Sequence, residues 1–139
     1  MAALFNLEVT TPHRLFFFGP VEAISLTLAD GEAGIYANHS PITAPVVPCL
    51  LKILDKDGLW KTAFCAEGIL EVTSEKTVLL SDATEWPEEI DYDRAKAAKE
   101  SAEKTITAGT FKFETETAAL SLQRAIMRLR ARGESTENR

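Results

Sequence analysis

The residues of this 139-residue chain best suited to chemistry are arginines and carboxylates rather than nucleophiles. Residues 121–132 hold Arg124, Arg128, Arg130 and Arg132 and no acid, a basic run in a protein whose formal net charge is -6. Arg124 and Arg128 stand at i and i+4, so on a helix their guanidinium groups share one face. Arg94, on the first turn of an earlier helical stretch, converges on them if the two helices fold back on each other. Three planar forks suit a polyphosphate, which arginine holds bidentately. Glu85 and Asp91 then serve as acceptors for an amine or hydroxyl of the same ligand. The same spacing also serves a solvated basic stripe, whose charge suits the C-terminal end of a helix dipole.

Other chemistries find less support. His13 and His39 are the only histidines, and His39 sits on a loop ahead of Ser40-Pro41. A His-Ser neighbour pair does not make a triad, and the strand-Gly-x-Ser-x-Gly-helix context is missing. No second histidine stands at i+4 and no thiols cluster, which argues against a metal. The Gly-x-x-x-x-Gly-Lys-Ser/Thr phosphate loop is absent as well. Cys49 and Cys65 match neither a zinc spacing nor a redox pair and fall in apolar runs, so buried free thiols are expected. No catalytic residue, metal or catalytic cofactor is expected.

The elements that must position these groups divide near residue 85. All six prolines lie at or before Pro87, and five of the seven glycines at or before Gly68. Beyond Pro87 the chain is dominated by Ala, Glu, Lys and Arg, which predicts a β-rich part followed by a helical one. Charge divides too: residues 1–84 carry 5 basic and 10 acidic side chains, residues 85–139 carry 10 and 11.

In the first part, Ile24, Leu26 and Leu28 alternate with Ala23, Ser25 and Thr27, the period of a half-buried strand. Leu50 to Leu54 and Leu59 to Ala66 flank Asp55-Lys56-Asp57-Gly58, a hairpin signal. Gly68 to Thr73 and Thr77 to Ser81 give two further strands. Phe16-Phe17-Phe18 places aromatics on both faces of one strand, one face for the core and the other for a contact surface or a covering loop. Roughly eight to ten strands predict a compact sandwich or barrel, with no parallel pairing because no helix separates the strands.

In the second part, Asp91 is the expected N-cap of a helix ending at Gly109, and a second helix covers about 113–131. Ala95, Ala98 and Ala102 on the first helix face Ala118, Leu122, Ala125 and Leu129 on the second, an antiparallel hairpin with a thin seam. Alanine buries little area at about 25 cal/mol per Å², so this hairpin needs docking or a ligand to persist. The expected organisation is an all-β sandwich over 1–84, a linker over 85–89, an α-helical antiparallel hairpin over 90–132, and a flexible tail over 133–139. The acidic balance argues against nucleic acid as a general partner. No apolar run approaches the roughly 20 residues that span a bilayer, and the start lacks the basic signature of a leader, which together predict a soluble protein of cytosolic type.

Segments spread over nearly the whole chain resemble the epsilon subunit of the rotary ATP synthase. They are Leu7-Glu8-Val9-Thr10-Thr11-Pro12, the run from Gly31 to Ile42, Gly68-Ile69-Leu70-Glu71-Val72, Ile90-Asp91-Tyr92-Asp93-Arg94-Ala95, and the run from Leu122 to Leu129. Each is short, but their order and spacing together are specific. The chain departs from the family at Tyr36-Ala37-Asn38-His39, where Leu-Pro-Gly-His is frequent, and at Glu67-Gly68, where a Gly-Gly pair is common.

The resemblance implies a non-catalytic subunit. Its sandwich is expected to bind the gamma subunit and the membrane ring, coupling rotation to proton or sodium flow. The expected partner-facing residues are Glu32, Tyr36, His39, Arg130 and Arg132. The hairpin is expected to switch between a folded form and an extended form that reaches the alpha and beta subunits of the catalytic head and inhibits ATP hydrolysis. ATP is the expected regulatory ligand, bound through the Ile/Leu-Asp-x-x-Arg-Ala motif at Ile90, Asp91, Arg94 and Ala95, with Arg124, Arg128 and Glu85. Such a subunit lies at the cytoplasmic face of the bacterial plasma membrane through its partners, without inserting directly. A purely structural coupling subunit and an unrelated small enzyme using Glu85, Asp91 or His39 are the alternatives.

Overall fold

Period-two alternation and turn residues build the first two-thirds of the chain into strands. A computed structural model describes residues 3–137. The strands are β1 (Phe5–Thr10), β2 (Leu15–Leu28), β3 (Gly31–Tyr36), β4 (Ile42–Val46), β5 (Cys49–Asp55), β6 (Trp60–Cys65), β7 (Gly68–Val72), β8 (Thr77–Ser81) and β9 (Thr84–Glu85). After a 3-10 turn at Pro87–Glu89 come two helices, α1 (Tyr92–Ala108) and α2 (Lys112–Glu137). The expected sandwich followed by a helical hairpin is therefore the observed fold.

The long strand β2 organises the sandwich. Its first half pairs with β1, and its second half pairs with β3 and β5. β1, β8, β7 and β4 run side by side, while β5, β6 and β9 extend the other side of β2. Ile24, Leu26 and Leu28 face inward with Leu7, Val9, Leu51, Ile53, Leu70 and Leu79, forming the apolar core. The β5–β6 hairpin turns at Asp55, whose Oδ1 accepts from the N–H groups of Asp57 and Leu59 at 2.9 and 3.0 Å.

Two expectations about this domain need correction. β1 and β8 pair in parallel, with Leu7 opposite Thr77 and Val9 opposite Leu79. The intervening strands of the sandwich supply the crossover that a helix usually provides. The aromatic triplet does not divide simply by face either. A register shift opposite Val9 and Thr10 leaves Phe16 unpaired and buried, stacked on Trp86 with ring centroids 4.4 Å apart. Such a bulge re-aims a side chain that plain alternation would send outward. Phe17 packs against the core and Phe18 is 64% exposed.

The segment expected as a linker, 85–89, is structured. Glu85 belongs to β9, which pairs with β6 so that Phe64 faces Glu85 and Cys65 faces Thr84. Arg14 clamps the 3-10 turn, donating to both carboxylate oxygens of Glu89 at 2.7 Å and to the Thr84 carbonyl at 3.1 Å. Glu89 in turn accepts from the Trp86 N–H at 2.8 Å. The Arg14 hydrogen bonds are the main reason the Glu89 carboxyl sits below its ordinary pKa.

The hairpin follows as its caps dictate. Asp91 Oδ1 accepts from the Arg94 N–H at 3.0 Å and starts α1. Gly109, at φ 57°, ends it in the left-handed conformation that glycine adopts without penalty. Ala95, Ala102, Ala118 and Ala125 are buried in the seam, while Ala98 is exposed in an open groove shared with Thr117 and Ala118 of α2. α2 is longer than expected: it runs past 131 to Glu137, through most of the segment expected as a flexible tail, and residues 138–139 lie outside the described region. Ala131, at the expected end of the helix, is fully buried against Phe64, Ala66 and Ile90.

One glycine is fixed by close approach. A Cβ on Gly68 would lie 1.9 Å from the Leu80 carbonyl oxygen and 2.8 Å from Ser81 Cα, both backbone atoms that cannot step aside. Gly68→Ala is expected to destabilise the protein by about 2–4 kcal/mol, because β7 and β8 must separate to admit the methyl group. Urea unfolding checks this, and an unchanged midpoint would refute it.

Candidate functional site

The basic run of α2 lies along the sandwich, and acids at strand ends meet it. α2 packs on β5, β6 and the 3-10 turn, while α1 packs on α2. The i, i+4 spacing of Arg124 and Arg128 therefore aims both guanidinium groups at the seam between helix and sheet.

Arg124 meets a pair of carboxylates. Its Nε donates to Glu67 Oε1 at 2.8 Å, and its Nη2 donates both to Glu67 Oε2 and to Asp82 Oδ2, the latter at 3.3 Å. The backbone brings these acids together: the Ala66 N–H donates to the Ala83 carbonyl at 2.8 Å, and the Asp82 N–H to the Glu67 carbonyl at 3.0 Å. The tight approach at Gly68 holds the next residue in the same place. Burial raises the Glu67 carboxyl, but hydrogen bonds from Arg124 and from its own backbone, with the charges of Arg124 and Arg128, outweigh it and leave the net pKa lowered. Arg124 is correspondingly raised, chiefly by its hydrogen bond to Glu67.

Arg128 is held between a ring and a carboxylate. Its Nε donates to Glu85 Oε1 at 2.7 Å, and its guanidinium carbon lies 4.4 Å from the centroid of the Phe64 ring. Phe64 and Glu85 are register partners on β6 and β9, so one short pairing builds both walls of this slot. A planar guanidinium suits the slot, since it stacks on the aromatic face while its edge donates. One turn further, Arg132 Nη1 donates to the Ile90 carbonyl at 2.5 Å.

The expected ligand-binding residues are thus brought together in part. Arg124, Arg128 and Glu85 line one seam, with both arginines already bonded to carboxylates. Ile90 is buried beside Ala131, and Ala95 is buried in the helix seam, so both act through packing or backbone here. Asp91 is engaged as the helix cap. Arg94 is exposed, and its side chain makes no ion pair or hydrogen bond among the described residues. Glu67, Asp82 and Phe64 complete the seam but were not singled out as site residues from the sequence, although the acid standing at 67 in place of a common glycine was a signal for the first.

The expected partner-facing residues are divided between two places. Tyr36 and His39 border a groove of about 580 Å³ at one end of the sandwich, whose turn is set by Asn38 at φ 65°. His39 Nδ1 lies 2.7 Å from the Ser40 carbonyl oxygen. Glu32 and Arg130 border a second groove of about 550 Å³ between α2 and the sheet. Arg132 does not stand free for a partner, since it is bonded to the Ile90 carbonyl and helps seat α1. On the outer sheet face Leu15, Leu80 and Ile69 are exposed in one row across β2, β8 and β7, joined through Thr10 of β1. Both cysteines are buried and free, as expected, but they face each other across β5 and β6. Among the described residues no cluster of ligating side chains could hold a metal ion, and no helix is long and apolar enough to cross a membrane.

The architecture and sequence are those of a known family. Residues 4–87 match the family described as ATP synthase, Delta/Epsilon chain, beta-sandwich domain, and residues 88–133 match ATP synthase, Delta/Epsilon chain, long alpha-helix domain. The ATP synthase epsilon chain of Caldicellulosiruptor bescii is 48% identical over 135 residues, covering 97% of this chain and 98% of its own. That of Caldicellulosiruptor saccharolyticus is 51% identical over 128 residues, covering 92% and 93%. Among solved structures, a chain of the Euglena gracilis mitochondrial ATP synthase (OSCP/F1/c-ring) superposes with a TM-score of 0.77 at 20% identity, covering 88% of this chain and 78% of that one. A chain of the Tetrahymena thermophila mitochondrial ATP synthase central stalk and c-ring gives 0.61 at 10% identity, covering 94% and 98%. At those identities the likeness is one of fold.

The ion pairs make docking of the hairpin acid-sensitive. A carboxylate whose pKa is lower docked than undocked stabilises docking above its undocked value and loses that contribution as pH falls through the docked one. Docking is therefore expected to hold at neutral pH and to weaken below the ordinary glutamate value of about 4.3. Thermal unfolding across this range is the check: the wild-type midpoint should fall more steeply than that of Arg124→Ala, and parallel curves would exclude the Arg124 pairs as the cause.

Proposed function

The chain belongs to the ATP synthase delta/epsilon family, as an epsilon chain, a non-catalytic subunit, and on that premise we propose that it works as a regulated rotor element of the complex. In this reading the sandwich seats the subunit on the central stalk. Its partners are the gamma subunit and the ring that carries protons or sodium ions, and through them it lies at the cytoplasmic face of the bacterial plasma membrane. The exposed row of Leu15, Leu80 and Ile69 and the groove beside Tyr36 and His39 supply the kind of surface such contacts need.

ATP acts as the regulatory ligand of the hairpin. The observation that carries this reading is the placement of Arg124 and Arg128 one turn apart in a seam that also contains Glu85 and leads directly into the Asp91 cap. A triphosphate entering the seam takes up the two guanidinium groups, with Arg94 completing the set from α1, and so favours the folded hairpin. Ligand at 100 times its dissociation constant favours the binding-competent form by about 2.7 kcal/mol. When ATP is scarce the hairpin opens, and the arginines of α2 meet acidic surface on the catalytic head and restrain hydrolysis. That contact is electrostatic and weakens with salt.

One observation favours a second reading, a coupling subunit without a nucleotide site. Both arginines already have carboxylate partners in the folded chain, so the hairpin docks on its own charges. Isothermal titration of the full chain with ATP separates the two. On the first reading ATP binds, and Arg124→Ala and Arg128→Ala each weaken it by about tenfold, since a charge-assisted bond contributes about 1.5–3 kcal/mol. Absence of binding at millimolar ATP, with assembly on gamma intact, would establish the second.

A further inference from the structure

We infer that Glu67 is an internal stand-in for the ligand: its carboxylate occupies Arg124 in the nucleotide-free chain, holds the hairpin docked, and must yield when a phosphate enters. The docking half of this inference stands on contacts within the chain, while the competition half rests on the nucleotide reading above.

The geometry distinguishes Glu67 from the other acids of the seam. It takes two edges of the Arg124 fork, through Nε and Nη2, the bidentate arrangement by which arginine also holds a phosphate. Asp82 touches the same fork only through Nη2 at 3.3 Å, and Glu85 belongs to Arg128. Glu67 and Arg124 are both about two-thirds withdrawn from solvent, so their pairing is less screened than that of an exposed ion pair.

Three features keep the carboxylate in place without a ligand. The Glu67 carbonyl accepts from the Asp82 N–H, Ala66 donates to Ala83, and Gly68 is pressed against the β8 backbone. The acid is thus presented by a rigid strand junction while the arginine is presented by a helix with a thin alanine seam. Of the two, the helix is free to leave. A phosphate oxygen pair and the Glu67 carboxylate seek the same Nε and Nη2 protons, and both anions cannot hold them at once.

Glu67→Gln tests both halves, with Glu71→Gln as a control that removes the same charge from an exposed site on β7 without touching Arg124. In ligand-free protein, hydrogen exchange of the amides over 118–132 should rise several-fold in Glu67→Gln and stay at the wild-type rate in Glu71→Gln, with the β1–β8 amides unaffected in both. Unchanged exchange in Glu67→Gln would overturn the docking role. Exchange reads rare openings, so the folded hairpin remains dominant and the affinity for ATP should tighten by at least about threefold in Glu67→Gln. Unchanged or weaker binding relative to Glu71→Gln would overturn the competition. If ATP binds to none of the three proteins, the nucleotide reading falls and takes the competition with it, while the exchange result still decides the docking role.

Discussion

The hairpin depends on how α2 is held, by arginine–carboxylate pairs beside a small apolar patch where Ala131 and Met127 meet Phe64, Ala66 and Ile90. The fully buried residues of its inner seam are alanines, which bury little apolar surface, and most of the outward faces of its helices are polar. Two helices of this kind are marginal on their own in water. What fixes them is one face of α2, where Arg124, Arg128 and Arg132 in succession engage a strand junction, a two-residue strand and the entrance to α1. A pair of leucines at these positions would make a stronger glue and a poorer switch. Charged pairs respond to salt, pH and competing anions, while an apolar seam responds to none of them on the same scale.

That arrangement places unusual weight on the short stretch between sandwich and helix. Thr84 to Ile90 is bound to the sandwich at one end and to the helices at the other. Glu85 carries Arg128, Trp86 stacks on Phe16, Glu89 receives Arg14, and Ile90 packs on Ala131 while its carbonyl accepts from Arg132. The phenylalanine bulge in β2 is part of the same device, since without it Phe16 would not reach Trp86. The sandwich therefore does more than sit beneath the helices. Its strand ends are shaped to receive them.

Local features were legible in the sequence because their causes are local. The Asp91 cap, the Gly109 stop, the Asp55 turn and the shared face of Arg124 and Arg128 all depend on residues within a few positions of one another. The acids that meet the arginines were only partly legible. Glu85 was singled out as an acceptor beside the arginines, though for a ligand rather than for Arg128, while Glu67 and Asp82 converge through backbone bonds between two separate loops, which no periodicity records. The same reason hid the parallel pairing of β1 with β8 and the direct opposition of Cys49 and Cys65. Ala98 faces the groove beside α2 but stays exposed, because the two helices do not close over it. α2 also runs past Gly133, where intrinsic preference alone would have ended it.

The parallel contact between β1 and β8 has a consequence for the order in which the molecule is made. Leu7 to Thr10 wait for residues 77–80 before their second neighbour exists, so the sandwich closes only when nearly all of it has left the ribosome. Loop closure over such a span is slow compared with local pairing, which places this step late in folding. The helices emerge next in the chain, and the junction they dock on is built from the ends of β6 to β9, the last strands to be laid down. Helix docking and sandwich closure are thereby coupled in time as well as in space. A newborn chain presents a finished landing site for the hairpin only once β9, its last strand, has paired with β6.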